Sequence, residues 1–253
     1  MSKIMATVTE LPSVDNDAPK KAPPKEAVLL ADQAAEMIRS LISEGALGPG
    51  DRVNELELSQ KLGISRGPVR EAVRRLASTG LLEQEPNSGS RVISPDRDFI
   101  WELFTVRESL ESLAARLAAE RMTDEERKEL TDVLAYHETL MAENQSPAYS
   151  HGGTDWDFHL LILKGSRNKL VWRICGNDLR DLFSLLRAQH GIHSEDRAGR
   201  ALQEHRWIVE AITAGNADLA TLLMAQHIRA SRDNLLSAMP GTWPLGTESK
   251  ADH

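Results

Sequence analysis

Apolar residues recur every three or four positions along most of the chain, which is the spacing of amphipathic α-helices. In the first third, such stripes cover residues 27–44, 55–62 and 66–79. Glycines stand at the breaks between the stripes, and the break at residues 63–65 is only three residues long. We therefore expect three helices, with the second and third joined by a tight turn.

The pattern changes after the third helix. Residues 81–85 and 90–93 are two short segments of strand length, and the turn sequence Pro-Asn-Ser-Gly at 86–89 separates them. Such a pattern predicts a two-stranded hairpin. Three helices with a tight turn, followed by a hairpin, form a winged helix-turn-helix, which we place at residues 27–95 as a DNA-binding domain.

Helical periodicity then continues almost to the end of the chain, with no alternating strand pattern. The predicted fold class is therefore mainly α: the winged helix-turn-helix followed by an all-α bundle of six or seven helices at residues 96–238. Residues 1–26 and 239–253 lack a sustained apolar period and are expected to be a flexible leader and tail. The six helices expected in the bundle cover residues 98–120, 124–143, 154–164, 169–189, 194–214 and 216–238.

Composition narrows the class of protein. The chain has 253 residues and a net charge of −8, with 41% hydrophobic residues, an ordinary mixture for two globular domains. Its single cysteine, Cys175, excludes an internal disulfide and any cysteine-rich metal site. No long uncharged run or signal sequence is present, so we expect a cytoplasmic protein without a membrane segment.

The acidic net charge hides a basic segment. Residues 61–75 hold five basic residues against one acidic residue. On a helix, Arg70 and Arg74 lie at about 40° and 80° from Arg66, away from the apolar stripe. One face can therefore pack on the core while the other enters a DNA major groove. A solvated face, with Glu71 paired to a neighbouring arginine, is the alternative.

Histidines supply the second candidate chemistry. Asp155 and His159 are spaced i, i+4 on one predicted helix, and His205 and His227 lie on two later helices. Three imidazoles and a carboxylate suit a divalent metal, zinc first, with nickel or manganese also possible. Isolated histidines in core or surface positions are the alternative. Phosphate-loop, nucleophile-elbow and zinc-protease motifs are all missing, but a metal-dependent enzyme stays open as the second hypothesis.

The sequence from residue 55 to 76, ELELSQKLGISRGPVREAVRRL, resembles the DNA-binding domain of GntR-family transcriptional regulators, and the segment 80–92 continues the match. The helical half resembles the FCD-type ligand-binding domain of the FadR-like subfamily. Together the two resemblances cover about residues 27–238. The residues that carry the resemblance in the helical half are 106–111, 155–159, 165–168, 204–205 and 227–228.

The resemblance implies a homodimeric repressor or activator that binds a palindromic operator in double-stranded DNA and responds to a small carboxylate effector. In two places the chain departs from the family pattern: Gly67 stands where many relatives carry Thr, and Leu56 where some carry Arg. The residues implied at the DNA are Ser65, Arg66, Gly67, Arg70, Arg74 and, at the wing tip, Gly89.

The resemblance also implies roles in the helical half. Asp155, His159, His205 and His227 match the metal ligands of metal-containing members, in which the ion helps to hold the effector. Arg107 then anchors the effector carboxylate, and a surface ion pair with a neighbouring glutamate is the alternative for this arginine.

Overall fold

The structure is a computed structural model, and it describes residues 25–85, 89–142, 154–190 and 195–239. The expected leader and tail lie almost entirely outside these residues. Among the described helices, none combines the length and the apolar character needed to cross a membrane. The mainly helical fold class is confirmed, and the strands among the described residues form a small sheet in the N-terminal unit.

The N-terminal unit has the predicted order of helices and hairpin, with one strand more. Strand β1 (Arg52–Val53) was not predicted, because two residues are too short to show an alternating pattern. It pairs antiparallel with β3 (Gly89–Val92), with Arg52 opposite Arg91, and β2 (Leu82–Glu85) lies on the other side of β3. The elements are α1 (Lys25–Ser43), β1 (Arg52–Val53), α2 (Glu55–Leu62), α3 (Arg66–Ser78), β2 (Leu82–Glu85) and β3 (Gly89–Val92).

Local sequence signals fix the ends of α2. The Asn54 side chain accepts hydrogen bonds from the backbone N–H groups of Leu56 and Glu57, and so caps the helix as its residue type predicts. Gly63 ends α2 with a φ of 64°, a left-handed conformation that glycine adopts without steric cost. The chain can therefore turn into α3 within three residues.

The helical domain follows the predicted boundaries closely, with one exception. Helix α10 (Ala217–Ala238) packs along α4 (Arg97–Arg121), the helix that leads out of the N-terminal unit. Buried residues from both units form one continuous apolar core. The helices are α4 (Arg97–Arg121), α5 (Asp124–Ala142), α6 (Thr154–Gly165), α7 (Lys169–Val171), α8 (Arg180–His190), α9 (Glu195–Thr213) and α10 (Ala217–Ala238).

The exception is the segment predicted as one helix at 169–189. A π-helical stretch, Trp172–Asp178, separates α7 from α8, and the Leu179 N–H donates to the Ile174 carbonyl five residues earlier at 2.9 Å. Gly176 lies in this stretch with the Trp172 ring against it, so close that an added Cβ would lie 3.2 Å from the ring. Glycine weakens an α-helix, which allows the extra residue in this turn.

Candidate nucleic-acid interface and metal centre

Helix α3 separates its apolar and cationic residues onto different faces, as the sequence predicts. Its apolar face, Val69, Ala72, Val73 and Leu76, is buried against the rest of the N-terminal unit. We call the opposite side, formed by Arg66, Arg70 and Arg74, the arginine face; all three residues are exposed. A helix that is fixed by one face and cationic on the other has the form needed to lie against a polyanion.

The three arginines differ in how far they are engaged. Arg66 makes no ion pair with any described residue, and the Arg70 side chain is 75% exposed, with Glu55 at 3.5 Å. Arg74 donates two hydrogen bonds to Glu71, at 2.8 and 3.0 Å, so the expected intrahelical pairing is present at this position. Hydrogen bonds from Arg74 and Arg75 lower the pKa of Glu71 to about 2.

Ser65 is at the N-cap position of α3, where serine is a preferred residue type and a capping hydrogen bond is expected, but its side chain makes none. A cap accepts from the N–H groups two or three residues on, and the third residue here is Pro68, which has none. Ser65 is exposed beside Arg66, and its hydroxyl is not bonded to the N-terminus of α3.

Two glycines expected near DNA differ in their surroundings. Gly67 opens into empty space, because an added Cβ would meet no atom within 4 Å. Gly89 has a φ of 87°, which a residue with a side chain rarely adopts, and a Cβ there would lie 3.5 Å from the Arg52 guanidinium. The second glycine is therefore required by the backbone of the wing, whereas the first is not.

In the helical domain, three helices bring three histidines to one point. His159 on α6, His205 on α9 and His227 on α10 are all buried, and we call them the histidine cluster. The Nε2 atom of His227 lies 3.3 Å from that of His205 and 3.3 Å from that of His159. A tetrahedral zinc site with Zn–N distances of about 2.0–2.1 Å spaces its nitrogens about 3.3–3.4 Å apart.

Two glutamates that were not predicted at this site orient the cluster. Glu111 lies 2.5 Å from His159 Nδ1, and Glu204 lies 2.7 Å from His227 Nδ1. An ionised carboxylate only accepts hydrogen bonds, so each Nδ1 carries the proton and each Nε2 turns a lone pair to the centre. This carboxylate–histidine order is typical of metal sites. The only sequence signals were the Arg107–Glu111 spacing and the adjacency of Glu204 to His205.

The glutamates are ionised because one arginine and one histidine N–H donor lie against each of them. Burial raises the pKa of Glu111, but Arg107 and His159 outweigh it and hold the pKa at about 2. For Glu204, burial likewise opposes ionisation, yet His227 and Arg197 lower its pKa. The two carboxylates carry negative charge on one side of the histidines and so favour a cation on the other side. A cation there would also remove the repulsion between the Nε2 lone pairs, which lie 3.3 Å apart.

Arg107 is brought to the same place. It is 5% exposed, its Nε–H donates to Glu111 at 2.6 Å, and its Nη2 lies 3.4 Å from His159 Nε2. The pairing with a glutamate is therefore present, but it is buried within the domain and not on the surface. The Phe183 ring lies over the guanidinium, 4.7 Å away.

Asp155, the fourth expected ligand, lies on α6 one turn before His159, and its side chain is outside the described residues. The structure thus brings His159, His205 and His227 together and leaves Asp155 as a prediction. The helical spacing still puts the two residues on one face of α6.

Comparison with known families identifies both units. The family model described as "Bacterial regulatory proteins, gntR family" matches residues 30–92, and the model described as "FCD domain" matches residues 102–230. Both descriptions agree with the family resemblance of the sequence.

Curated relatives extend over most of the chain. The HTH-type transcriptional regulator YdhC of Bacillus subtilis is 28% identical over 80% of this chain and 89% of its own length. The Uxu operon regulator of Haemophilus influenzae is 30% identical over 76% of this chain and 77% of its own length. Among solved structures, E. coli McbR/YncC superposes with a TM-score of 0.70 at 21% identity, covering 82% of this chain and 97% of its own, and shows the shared fold.

Proposed function

Since this chain belongs to the GntR family of bacterial transcriptional regulators, with an FCD domain as its second unit, we propose that its affinity for operator DNA is set by a small carboxylate bound at a divalent metal ion. As a GntR regulator it is not an enzyme, which removes the metal-dependent enzyme considered as the alternative. The observation that carries the proposal is the convergence of three histidine Nε2 atoms beside the buried guanidinium of Arg107.

The histidine cluster would hold the metal, and zinc fits best, since nitrogen ligands at this spacing suit a tetrahedral ion. Asp155 is the proposed fourth protein ligand, one turn from His159 on α6. Glu111 and Glu204 keep two imidazoles in the tautomer that ligation needs. The bound ion would supply positive charge that attracts an anionic oxygen.

A carboxylate is the proposed effector because a second cation lies at the same place. Glu111 takes the Nε–H of Arg107, and the guanidinium keeps further N–H donors beside the histidines. A carboxylate can share its two oxygens between a metal ion and such a guanidinium, which gives charge-assisted binding in a buried setting. Burial limits the effector to a small acid.

For the DNA-binding unit, we propose that Arg66 and Arg70 contact base edges in the major groove, since both are exposed at the start of the helix. Arg74 would give up its hydrogen bonds to Glu71 and donate to a DNA phosphate instead. Ser65 and Gly67 lie close to the backbone, and Gly89 brings the wing to the minor groove. A homodimer would place two such helices on a palindromic operator in the cytoplasm.

One helix joins the two halves of this mechanism. Helix α4 begins at Arg97, five residues after the end of β3, and carries both Arg107 and Glu111. An effector that moves Arg107 therefore acts on the helix that enters the DNA-binding unit. To regulate, it must bind the DNA-competent and released states with different affinity.

The test begins with selection of a binding site from a pool of random DNA duplexes. Fluorescence anisotropy at several potassium chloride concentrations then measures the affinity for the selected duplex. We expect affinity to fall steeply with salt, because each phosphate contact releases a counterion. Elemental analysis of the purified protein should give about one divalent ion per chain. Salt-independent DNA binding, or protein that cannot bind zinc after dialysis against it, would refute the proposal.

A further inference from the structure

An ion pair joins the two units at a distance from the linker. The Arg39 Nε on α1 donates to both carboxylate oxygens of Asp181 on α8, at 2.8 and 2.9 Å. The Asp181 side chain is 6% exposed, and burial raises its pKa above the ordinary value in spite of Arg39. A buried carboxylate of this kind depends on its partner, since losing the partner leaves a charge that is neither paired nor hydrated.

The same helix touches the candidate effector site. Phe183 lies over Arg107, which binds Glu111, which in turn holds His159. Asp181 and Phe183 are two residues apart and therefore point to roughly opposite sides of α8. One side of this helix thus lies on the DNA-binding unit and the other on the histidine site.

Helix α8 also directly follows a π-helical element. The π-helical stretch Trp172–Asp178 holds one residue more in its turn than an α-helix does. Conversion of that turn to α-geometry would rotate α8 by about 100° and shift it by about 1.5 Å. A cleft of about 420 Å³ lies between α1 and α8, with Arg39 and Asp181 on its walls.

We propose that Arg39 and Asp181 are positioning residues that couple the state of the histidine–Arg107 site to the placement of the DNA-binding unit. This inference rests on the proposed function, because it presupposes that metal at the histidines changes DNA affinity. The path runs through α8 and is separate from the covalent path through α4. When Arg107 and Phe183 move, α8 moves, and the ion pair to α1 is kept or broken.

The test measures coupling and not affinity alone. Using zinc as the only ligand and a selected duplex as the DNA, anisotropy gives the DNA Kd with zinc and with chelator. Typical couplings are about 5- to 150-fold, and we expect the wild type to lie in this range. The coupling ratio is the DNA Kd in one of these two states divided by the Kd in the other. Asp181→Asn and Arg39→Gln should each bring this ratio towards one, while zinc affinity measured without DNA stays unchanged.

Two controls separate coupling from a merely structural effect. Arg39→Lys keeps the charge and should restore part of the ratio. Glu138→Gln removes a cross-helix ion pair with Arg206 inside the helical domain and should leave the ratio as in the wild type. Asp181→Asn removes the buried charge and leaves only Arg39, whose side chain is 37% exposed to water, so this variant stays informative if Arg39→Gln does not fold.

The outcomes are distinct. A wild-type ratio that persists in both variants overturns this inference and leaves the proposed function intact. If the wild type binds zinc and DNA but has the same DNA Kd with zinc as with chelator, both the inference and the metal-dependent part of the proposal are overturned. A wild type that fails to bind zinc or DNA overturns the proposed function, and the inference with it.

Discussion

The arginine face of α3 and the histidine cluster, the two candidate binding regions, handle charge in opposite ways. The arginines of α3 project into solvent, with the Arg70 side chain 75% exposed. The histidines are buried, and fixed carboxylates stand behind two of them. The first region keeps its charges hydrated, whereas the second has already lost its water.

This difference sets what each region can bind. Hydrated cations act at long range and without fixed geometry, so they suit a repeating polyanion whose binding falls with salt. Buried ligands with fixed tautomers suit one small cation, because the desolvation cost is met when the protein folds. We therefore expect substitutions in α3 to change affinity and specificity for DNA, and substitutions around the histidines to change metal affinity.

The largest effect is expected for His227→Ala. His227 Nε2 takes part in both of the 3.3 Å contacts, so its loss removes the centre of the ligand set. Zinc affinity should fall by more than the roughly 10–100-fold typical of losing a supporting residue. Chelator competition measures this, with Leu222→Ala, exposed on the same helix, as control. Unchanged zinc affinity would rule out the histidine cluster as the metal site.

A smaller loss should follow from Glu204→Gln. The neutral amide is a weaker acceptor for His227 Nδ1–H, so the imidazole is less firmly oriented and less basic. We expect a roughly 10–100-fold fall in zinc affinity, measured by the same competition. Glu138→Gln, which also removes a carboxylate from a helix of this domain, should have no effect. Equal affinities in both variants would mean that the glutamate is structural only.

Arg66→Ala tests the exposed region. It should cost roughly 1–3 kcal/mol in binding of a selected duplex and relax the base preference. Anisotropy with the selected duplex and a scrambled one measures both effects. Lys128→Ala removes an exposed cation of α5 that is paired with Asp132 and serves as the control. If Arg66→Ala bound as tightly and as selectively as the wild type, the arginine face would not be the DNA-reading surface.

The smallest effect concerns pH. The pKa of Glu71 is lowered from 4.5 to about 2, so its ion pairs stabilise the folded state above pH 4.5 and are lost as the pH falls towards 2. Because this carboxylate is about one third exposed, we expect less than about 1 kcal/mol. The difference in melting temperature between wild type and Glu71→Gln should shrink on acidification. A difference that stays constant with pH would contradict this assignment.

Features that depend only on residues close together in the sequence, such as helix ends and amphipathic faces, were predicted correctly. Asn54 caps α2, Gly63 ends it, and the buried face of α3 has the predicted residues, because caps and amphipathic faces are set within one or two helical turns. Even here, Pro68 removed the capping bond expected of Ser65. The π-helical turn at Trp172–Asp178 was missed, since its helical periodicity differs from the α pattern by only one residue.

The sequence by itself determined the order of helices, the winged helix-turn-helix and which histidines were candidates, because each of these depends on residue type and short spacing. Only the tertiary structure decided that Glu111 would stand behind His159, that Arg107 would be buried beside it, and that Arg39 would reach Asp181. The residues of these pairs are up to 142 positions apart. Such contacts arise from the packing of helices against one another, which periodicity along the chain does not encode.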